Sequence, residues 1–200
     1  MGDNNDRVDD HISKAIVHGN TYERLRVSRY SFFSGSLARK LTHQGVITAS
    51  LVAILPLALA APPELAVGDP SVASPKVVLL GLFGLGVEVL AGTALVAVAL
   101  ARLRLDDIGE RAAHRLLNVE DVASMLGLGT GAIAILVTVC YFGVASVAPG
   151  ALETLRPAHG GGAFAASGTG LTVTMLAALA VGIGVALLLA GRLLDDSLGY

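Results

Sequence analysis

The chain contains little of what a soluble domain or a disulfide-stabilised domain requires. Of its 200 residues only 15% are charged and 4% are aromatic, there is no tryptophan, and Cys140 is the single cysteine. A single cysteine excludes a framework of intrachain disulfides. So low a charge content excludes a soluble globular surface, and it is also too low for a disordered chain or a coiled coil. The formal net charge of −2 argues against nucleic acid as a partner.

Apolar residues, in contrast, form 54% of the chain and are concentrated in four runs. The runs cover residues 45–61, 77–101, 122–147 and 171–191, and Glu88 is the only formally charged residue within them. A helix needs about 20 residues to cross a bilayer, and an open strand leaves backbone groups unsatisfied in lipid. We therefore predict an all-α integral membrane protein, with a bundle of four transmembrane helices in residues 45–194.

The distribution of basic residues predicts how the chain is oriented. Twelve of the 14 Lys and Arg residues precede the first run, separate the second from the third, or follow the fourth; the exceptions are Lys76 and Arg156. Because cytoplasmic segments are enriched in Lys and Arg, we expect both termini and residues 102–121 in the cytoplasm, with 195–200 as a short tail. The 44 residues before the first run are mostly polar, so we expect no cleaved signal peptide in this cell-membrane protein.

Within the amino-terminal segment, 1–44, residues 22–41 predict an amphipathic helix at the membrane interface. Aromatic rings and long basic side chains alternate there, and both favour the headgroup layer. Such a helix either docks lipid or a partner protein, or only anchors the chain in its orientation. The residues expected to contact lipid, including anionic lipid, are Arg24, Arg26, Arg29, Tyr30, Phe33, Arg39 and Lys40.

The connections between the runs carry their own signals. Residues 102–121 predict a short helix that continues from the second run. Asn118, followed by Glu120 and Asp121, has the pattern of a helix start, because an Asn cap and acidic side chains stabilise the first turn. We therefore expect the third transmembrane helix to begin there. Residues 148–170 contain two prolines and six glycines and predict an irregular loop.

Glu88 is the residue with the clearest chemical potential. It lies near the middle of the second run, where a carboxylate that faces lipid costs about 2.5 to 3.5 kcal/mol. Gly84 and Gly92 lie one turn before and after it, and Gly81 lies one turn further back, so Glu88 shares its helix face with residues that let another helix approach. One interpretation is a carboxyl that binds a proton or cation, as in membrane transporters. The other is a structural carboxyl that hydrogen-bonds across helices to a hydroxyl or a backbone carbonyl.

Small residues also recur in the third and fourth runs. Gly127 and Gly131 are four residues apart, and Ala178, Gly182 and Ala186 form a longer stripe at the same spacing. Small residues at this spacing allow close helix packing in membranes. The stripes either close the four helices on one another or join copies of the protein, and the pattern favours neither.

Patterns typical of enzymes, metal sites and cofactors are missing from the sequence. The acidic group Asp106, Asp107 and Glu110 could bind Mg²⁺ and a pyrophosphate, but neighbouring arginines indicate a solvated, salt-bridged loop instead. All five histidines lie outside the apolar runs, so a haem between helices has no pair of ligands. We therefore predict no catalytic residue, no metal and no cofactor.

Three functions are consistent with these features. The leading hypothesis is a non-enzymatic structural or assembly subunit that packs through small-residue helix faces and binds lipid, a larger membrane complex or further copies of itself. The alternative is a small proton or cation transporter, or a channel-like protein, that uses Glu88. The third is a holin-like protein that perforates membranes.

Overall fold

The structure, a computed structural model, is a bundle of four long helices. It describes Tyr22, Leu25 and residues 35–65, 67–104, 109–154 and 162–198. Four helices are long and apolar enough to cross a membrane, which makes this a multi-pass membrane protein. We name them α1 (Leu37–Leu59), α2 (Val77–Arg104), α3 (Glu110–Val147) and α4 (Val173–Leu198).

The connections between the long helices include a 3₁₀ turn at Pro63–Leu65 and a short helix at Pro149–Thr154. In these connections Pro75 and Ala166 form an isolated β-bridge. The start of α1 and the end of α2 lie at the end of the bundle that carries Arg39, Lys40, Arg102 and Arg104, which we call the basic end. The opposite end, which holds the described residues 60–65, 67–76, 148–154 and 162–172, is called the loop end.

Helix α1 begins at Leu37, not at residue 45 as the apolar run predicts. Ser36 caps it by accepting a hydrogen bond from the backbone N–H of Arg39, at 3.2 Å. The extra turns raise its length to 23 residues, enough to span a bilayer. A 3₁₀ turn at Leu51–Ala53 interrupts the helix. Pro56 explains the turn, because proline has no N–H and its ring clashes with the carbonyl four residues earlier.

Helix α3 is continuous from Glu110, so the predicted helix start near Asn118 is wrong. Glu120 and Asp121 lie inside the helix rather than in its first turn. The helix winds as α-helix over Glu110–Ser124, as π-helix over Met125–Gly131 and again as α-helix over Ala132–Val147. A π-helix is rare, and three glycines in seven residues provide the backbone freedom for it here.

Helices α1 and α4 approach each other through glycines. A Cβ atom at Gly45 would lie 2.9 Å from the carbonyl oxygen of Gly184, and one at Gly184 would lie 3.1 Å from Ala49 Cβ. Near the basic end, a Cβ atom at Gly191 would lie 2.9 Å from Thr42 Oγ1. One face of α1 therefore belongs to α4, which leaves the opposite face for α2 and α3.

At the loop end the two long connections are bonded to each other. The backbone N–H of Ser167 donates to the carbonyl of Ser74 at 2.7 Å, and that of Lys76 donates to Ala165 at 2.9 Å. The Ser74 hydroxyl also donates to the carbonyl of Leu171 at 2.7 Å. The sequence predicts an irregular loop over 148–170, which is wrong for Pro149–Thr154, a short helix. Residues 162–172 are irregular but held by specific hydrogen bonds.

Two side-chain contacts add to this end. The rings of Phe142 and Phe164 meet edge to face with centroids 5.4 Å apart. Asp69 accepts hydrogen bonds from the hydroxyl and the backbone N–H of Ser71, and these bonds hold the pKa of Asp69 below its ordinary value. The described residues of the loop end are therefore held together by hydrogen bonds and an aromatic contact.

Candidate functional site

One face of α1 carries a buried polar stripe. Lys40, Gln44 and Thr48 follow one another at four-residue spacing, so they lie on the same side of the helix. Each is buried, with 4%, 0% and 0% of its surface exposed. This side faces α2 and α3, because Lys40 pairs with Glu120 of α3 and the Gln44 side chain lies against Gly127 of α3.

The Glu88 side chain lies at the contact between α2 and α3. It is fully buried and packs on the backbone of α3, where a Cβ atom at Gly131 would lie 3.0 Å from Glu88 Oε1. Among the residues that the structure describes, neither carboxylate oxygen has a hydrogen-bond partner. The predicted interhelical hydrogen bond of Glu88 to a hydroxyl or a carbonyl is therefore not among the described contacts.

The threonine hydroxyls in the spans explain part of this result. Thr138 is buried on α3, but its hydroxyl donates to the carbonyl of Ala134, one turn earlier, at 2.8 Å. Thr93 donates in the same way to Val89 at 2.7 Å. A hydroxyl in a helix easily bonds to the carbonyl four residues before it, and that bond competes with a contact to a neighbouring helix.

Gln44 and Thr48 are in the same condition as Glu88. In the described part of the chain, Gln44 Oε1, Gln44 Nε2 and Thr48 Oγ1 are buried without a hydrogen-bond partner. The Gln44 carboxamide lies between two helices: its Oε1 is 3.7 Å from the Cβ position of Gly92, and its Nε2 is 1.9 Å from that of Gly127. A methyl group at position 127 would overlap the carboxamide, so an alanine there would force the Gln44 side chain to move.

The helix directions bring these groups to neighbouring levels. Because α1 runs from the basic end and α2 runs towards it, Gln44 lies level with Gly92. Four residues make about one helical turn, so we expect Thr48, one turn further along α1, to lie at the level of Glu88, which precedes Gly92 by one turn. We call Gln44, Thr48 and Glu88 the buried polar site. The π-helical segment Met125–Gly131 forms its wall on α3, and π-helical turns occur frequently at functional sites.

A second set of buried polar side chains lies at the basic end of the bundle. Lys40 Nζ lies 2.6 Å from Glu120 Oε1, and both side chains are almost fully buried. The Tyr22 hydroxyl donates a short hydrogen bond to Glu120 Oε2. Arg102 stacks on the Tyr22 ring, 4.4 Å from its centroid, as a cation–π contact. We call Tyr22, Lys40, Arg102 and Glu120 the basic-end cluster; in it both carboxylate oxygens are paired.

The sequence-predicted residues divide between these sites and the outside. Gly81, Gly84, Gly92, Gly127 and Gly131 lie at helix contacts; a Cβ atom at Gly84, for example, would lie 2.9 Å from Ile135 Cγ1. Ala178, Gly182 and Ala186 are exposed on the outer side of α4, and no described atom lies within 4 Å of a Cβ at Gly182. Within one copy, this stripe therefore does not close the bundle.

The predicted interfacial helix falls largely outside the described residues. Arg24, Arg26, Arg29, Tyr30 and Phe33, assigned to lipid contact, lie outside them. Arg39 is exposed, whereas Lys40, assigned to the same surface, is buried against Glu120.

The local sequence pattern does not single out Gln44, Thr48 and Glu120 as site residues. A usable signal existed for two of them: the spacing of Lys40, Gln44 and Thr48 continues from the polar segment into the first apolar run. Glu120 had no such signal, because its partners are 80 and 98 residues away in the chain.

The buried polar site offers oxygen atoms that can coordinate a cation and a carboxyl group that can carry a proton. In the described ranges no three His, Cys, Asp or Glu side chains are grouped as metal ligands. No family model matches the chain, and no curated protein or solved structure is significantly similar to it. The function must therefore be inferred from the geometry of this chain.

Proposed function

We propose that the protein is a small membrane transport protein in which Glu88 binds a proton or a cation. The single observation that carries the proposal is the buried carboxyl of Glu88, whose two oxygens have no hydrogen-bond partner among the described residues. An uncompensated carboxylate is expensive in an apolar interior, so its charge must be neutralised by a bound proton or cation. Intramembrane acids of this kind mark ion pathways.

The surrounding polar groups suggest the side from which the ion enters. Towards the basic end, Glu88 is followed by Gln44 and then by the buried Lys40 and Glu120. Towards the loop end, the described core is mainly apolar and includes Leu51, Ile54 and Phe142, and the buried Thr138 hydroxyl there is bonded to its own helix. The polar groups therefore favour entry from the basic end, which we assign to the cytoplasm from its excess of Lys and Arg.

Transport is tested with the full chain reconstituted in liposomes. Wild-type protein is expected to move protons or alkali cations down a gradient, measured with a pH-sensitive dye inside the vesicles and with radioactive sodium. Glu88→Gln is expected to abolish the flux, because it keeps the shape of the side chain but removes its charge.

Glu110→Gln is the matched control, since it makes the same chemical change at an exposed position of α3. It is expected to transport like the wild type. A wild type without flux of protons or alkali cations, or a folded Glu88→Gln variant with normal flux, would show that Glu88 is not a transport residue.

A second candidate function is self-association or assembly with another membrane protein. It is favoured by the exposed stripe Ala178, Gly182 and Ala186 on α4, which offers close approach to another helix. Lipid, a larger membrane complex and a second copy all remain candidate partners of this surface.

Assembly is tested by counting chains per particle, by single-molecule photobleaching in native membranes. We expect more than one wild-type chain per particle and a single chain for Gly182→Leu. Gly86→Leu is the control, because Gly86 is also open on the outside of the bundle but lies on α2. Single wild-type chains, or an unchanged Gly182→Leu, would reject assembly through this stripe without affecting the transport proposal.

A further inference from the structure

Building on the proposed function, we infer that the ligand of the buried polar site is a small monovalent metal cation of the sodium class, held by oxygens of Glu88, Gln44 and Thr48. The site supplies two carboxylate oxygens, one amide carbonyl oxygen and one hydroxyl oxygen. In the described part of the chain none of the four has a hydrogen-bond partner. Hard cations prefer oxygen ligands of these three kinds.

A cation explains more of the site than a proton does. A proton on Glu88 neutralises the carboxyl but leaves the oxygens of Gln44 and Thr48 buried and unpartnered. Each such group costs about 1 to 3 kcal/mol relative to a satisfied one. A cation coordinated between α1 and α2 contacts the oxygens of all three residues and offsets this cost.

The charge of the site selects a monovalent ion. Lys40 and Glu120 neutralise each other at the basic end, so Glu88 alone gives the buried polar site one negative charge. A divalent ion would leave an uncompensated positive charge in the interior, which is strongly unfavourable. When the cation binds the protonated form of Glu88, the carboxyl proton leaves to solvent, so one proton is released for each cation bound.

The helix contacts select a small ion. Gly127 and Gly131 bring the backbone of α3 directly against Gln44 and Glu88, where a Cβ atom would already lie within 3.0 Å of their side chains. Such close packing favours an ion that has lost its water. We therefore expect Na⁺ and Li⁺ to bind more tightly than K⁺, and an organic cation such as choline not to bind.

The inference is tested by cation-dependent stability of the purified full-length protein in detergent. Chloride salts of Na⁺, Li⁺, K⁺ and choline are compared at one ionic strength, because a ligand that binds the folded state raises Tm in a saturable way. Na⁺ and Li⁺ are expected to raise Tm and choline to leave it unchanged. Release of about one proton per bound Na⁺ is measured in weakly buffered solution with a pH indicator.

Three variants locate the ion. Glu88→Gln is expected to abolish the Na⁺ effect, and Thr48→Val to raise the Kd for Na⁺ about tenfold, which corresponds to the loss of one ligand contact. Thr48→Ser keeps the hydroxyl and is expected to restore binding. Thr93→Val is the control on the outer side of α2, because its hydroxyl is bonded to Val89.

The outcomes separate this inference from the proposed function. A wild type that transports protons through Glu88 but shows no Na⁺ or Li⁺ effect would overturn the cation and leave the transport proposal standing. A Na⁺ effect that survives both Glu88→Gln and Thr48→Val would overturn the site. Absence of both flux and cation binding would refute both proposals.

Discussion

Two of the glutamates that the structure describes, Glu88 and Glu120, are buried, and their surroundings are opposite. Glu120 has a cation on one carboxylate oxygen and the Tyr22 hydroxyl on the other. Glu88 is equally buried, but in the described residues neither of its oxygens is bonded. Burial alone therefore does not distinguish the two acids. The distinction lies in whether the fold supplies partners for the buried charge.

The two acids also differ in the backbone that faces them. Glu120 lies in regular α-helix and contacts long side chains from other segments, which reach it with their polar ends. Glu88 faces Gly131 in a π-helical segment, and glycine has no side chain to offer it. Glu120 thus holds segments of the chain together, whereas Glu88 bonds to none of the described residues.

The largest expected loss of stability comes from removing the charge of Glu120, whose two carboxylate oxygens are both paired. Glu120→Gln removes the charge that pairs with buried Lys40, and loss of one partner of a buried ion pair costs about 3 to 5 kcal/mol. The free energy of unfolding, measured in detergent by denaturant titration, should fall by that amount. Replacing both partners, with Lys40→Met and Glu120→Met, should recover most of the loss because no unpaired charge remains. An unchanged stability in the Glu120→Gln variant would contradict a structural role for the pair.

A smaller loss is expected on filling the wall of the buried polar site. Gly127→Ala places a methyl group 1.9 Å from Gln44 Nε2, and such overpacking costs about 1 to 3 kcal/mol. Gly129→Ala is a matched control in the same π-helical segment, because no described atom lies within 4 Å of its Cβ position. The two variants are compared by thermal unfolding in the same detergent. Equal stability would show that Gln44 does not need the space at Gly127.

The smallest effect on stability is expected at the unsatisfied acid. Glu88→Gln removes no described hydrogen bond and keeps the volume of the side chain, so the free energy of unfolding in the absence of alkali cations should change by less than about 1 kcal/mol. Denaturant titration of Glu88→Gln beside Glu120→Gln measures the contrast directly. A loss of stability in Glu88→Gln as large as that in Glu120→Gln would show that both carboxyls are structural.

The sequence was a good guide to the spans but not to their polar faces. Each of the four helices begins or ends close to its apolar run, because a run of apolar residues long enough to cross a bilayer has few alternatives to a helix. The predicted start of α1 lies too late in the chain, because Lys40 and Gln44 are polar and a hydropathy pattern places such residues in solvent. In the structure both side chains are buried by other helices. Glu120 misleads in the same way: its position suggests a helix start, and only its distant partners reveal its role.

The glycine stripes show the same limit. Spacing alone predicts close packing for Gly84 and Gly92 and equally for Gly182, but the first two contact neighbouring helices and the third faces outwards. The glycines that join α1 to α4, Gly45 and Gly184, have no regular spacing that separates them from the rest. Which stripe is covered depends on how the helices are rotated, and a local pattern carries no information about that rotation.

By itself the sequence determined the class of protein, the approximate spans and the presence of one acid deep in an apolar run. These follow from the free energy of transferring side chains from water to lipid, which depends on the residues of one segment and not on the segments packed around it. Only the tertiary structure decided that Gln44 and Thr48, like Glu88, are buried without a described partner, and that Lys40 and Tyr22 bond to Glu120. Pairing of buried polar groups depends on the contacts between helices, because two side chains distant in sequence interact only when packing brings them within hydrogen-bond distance.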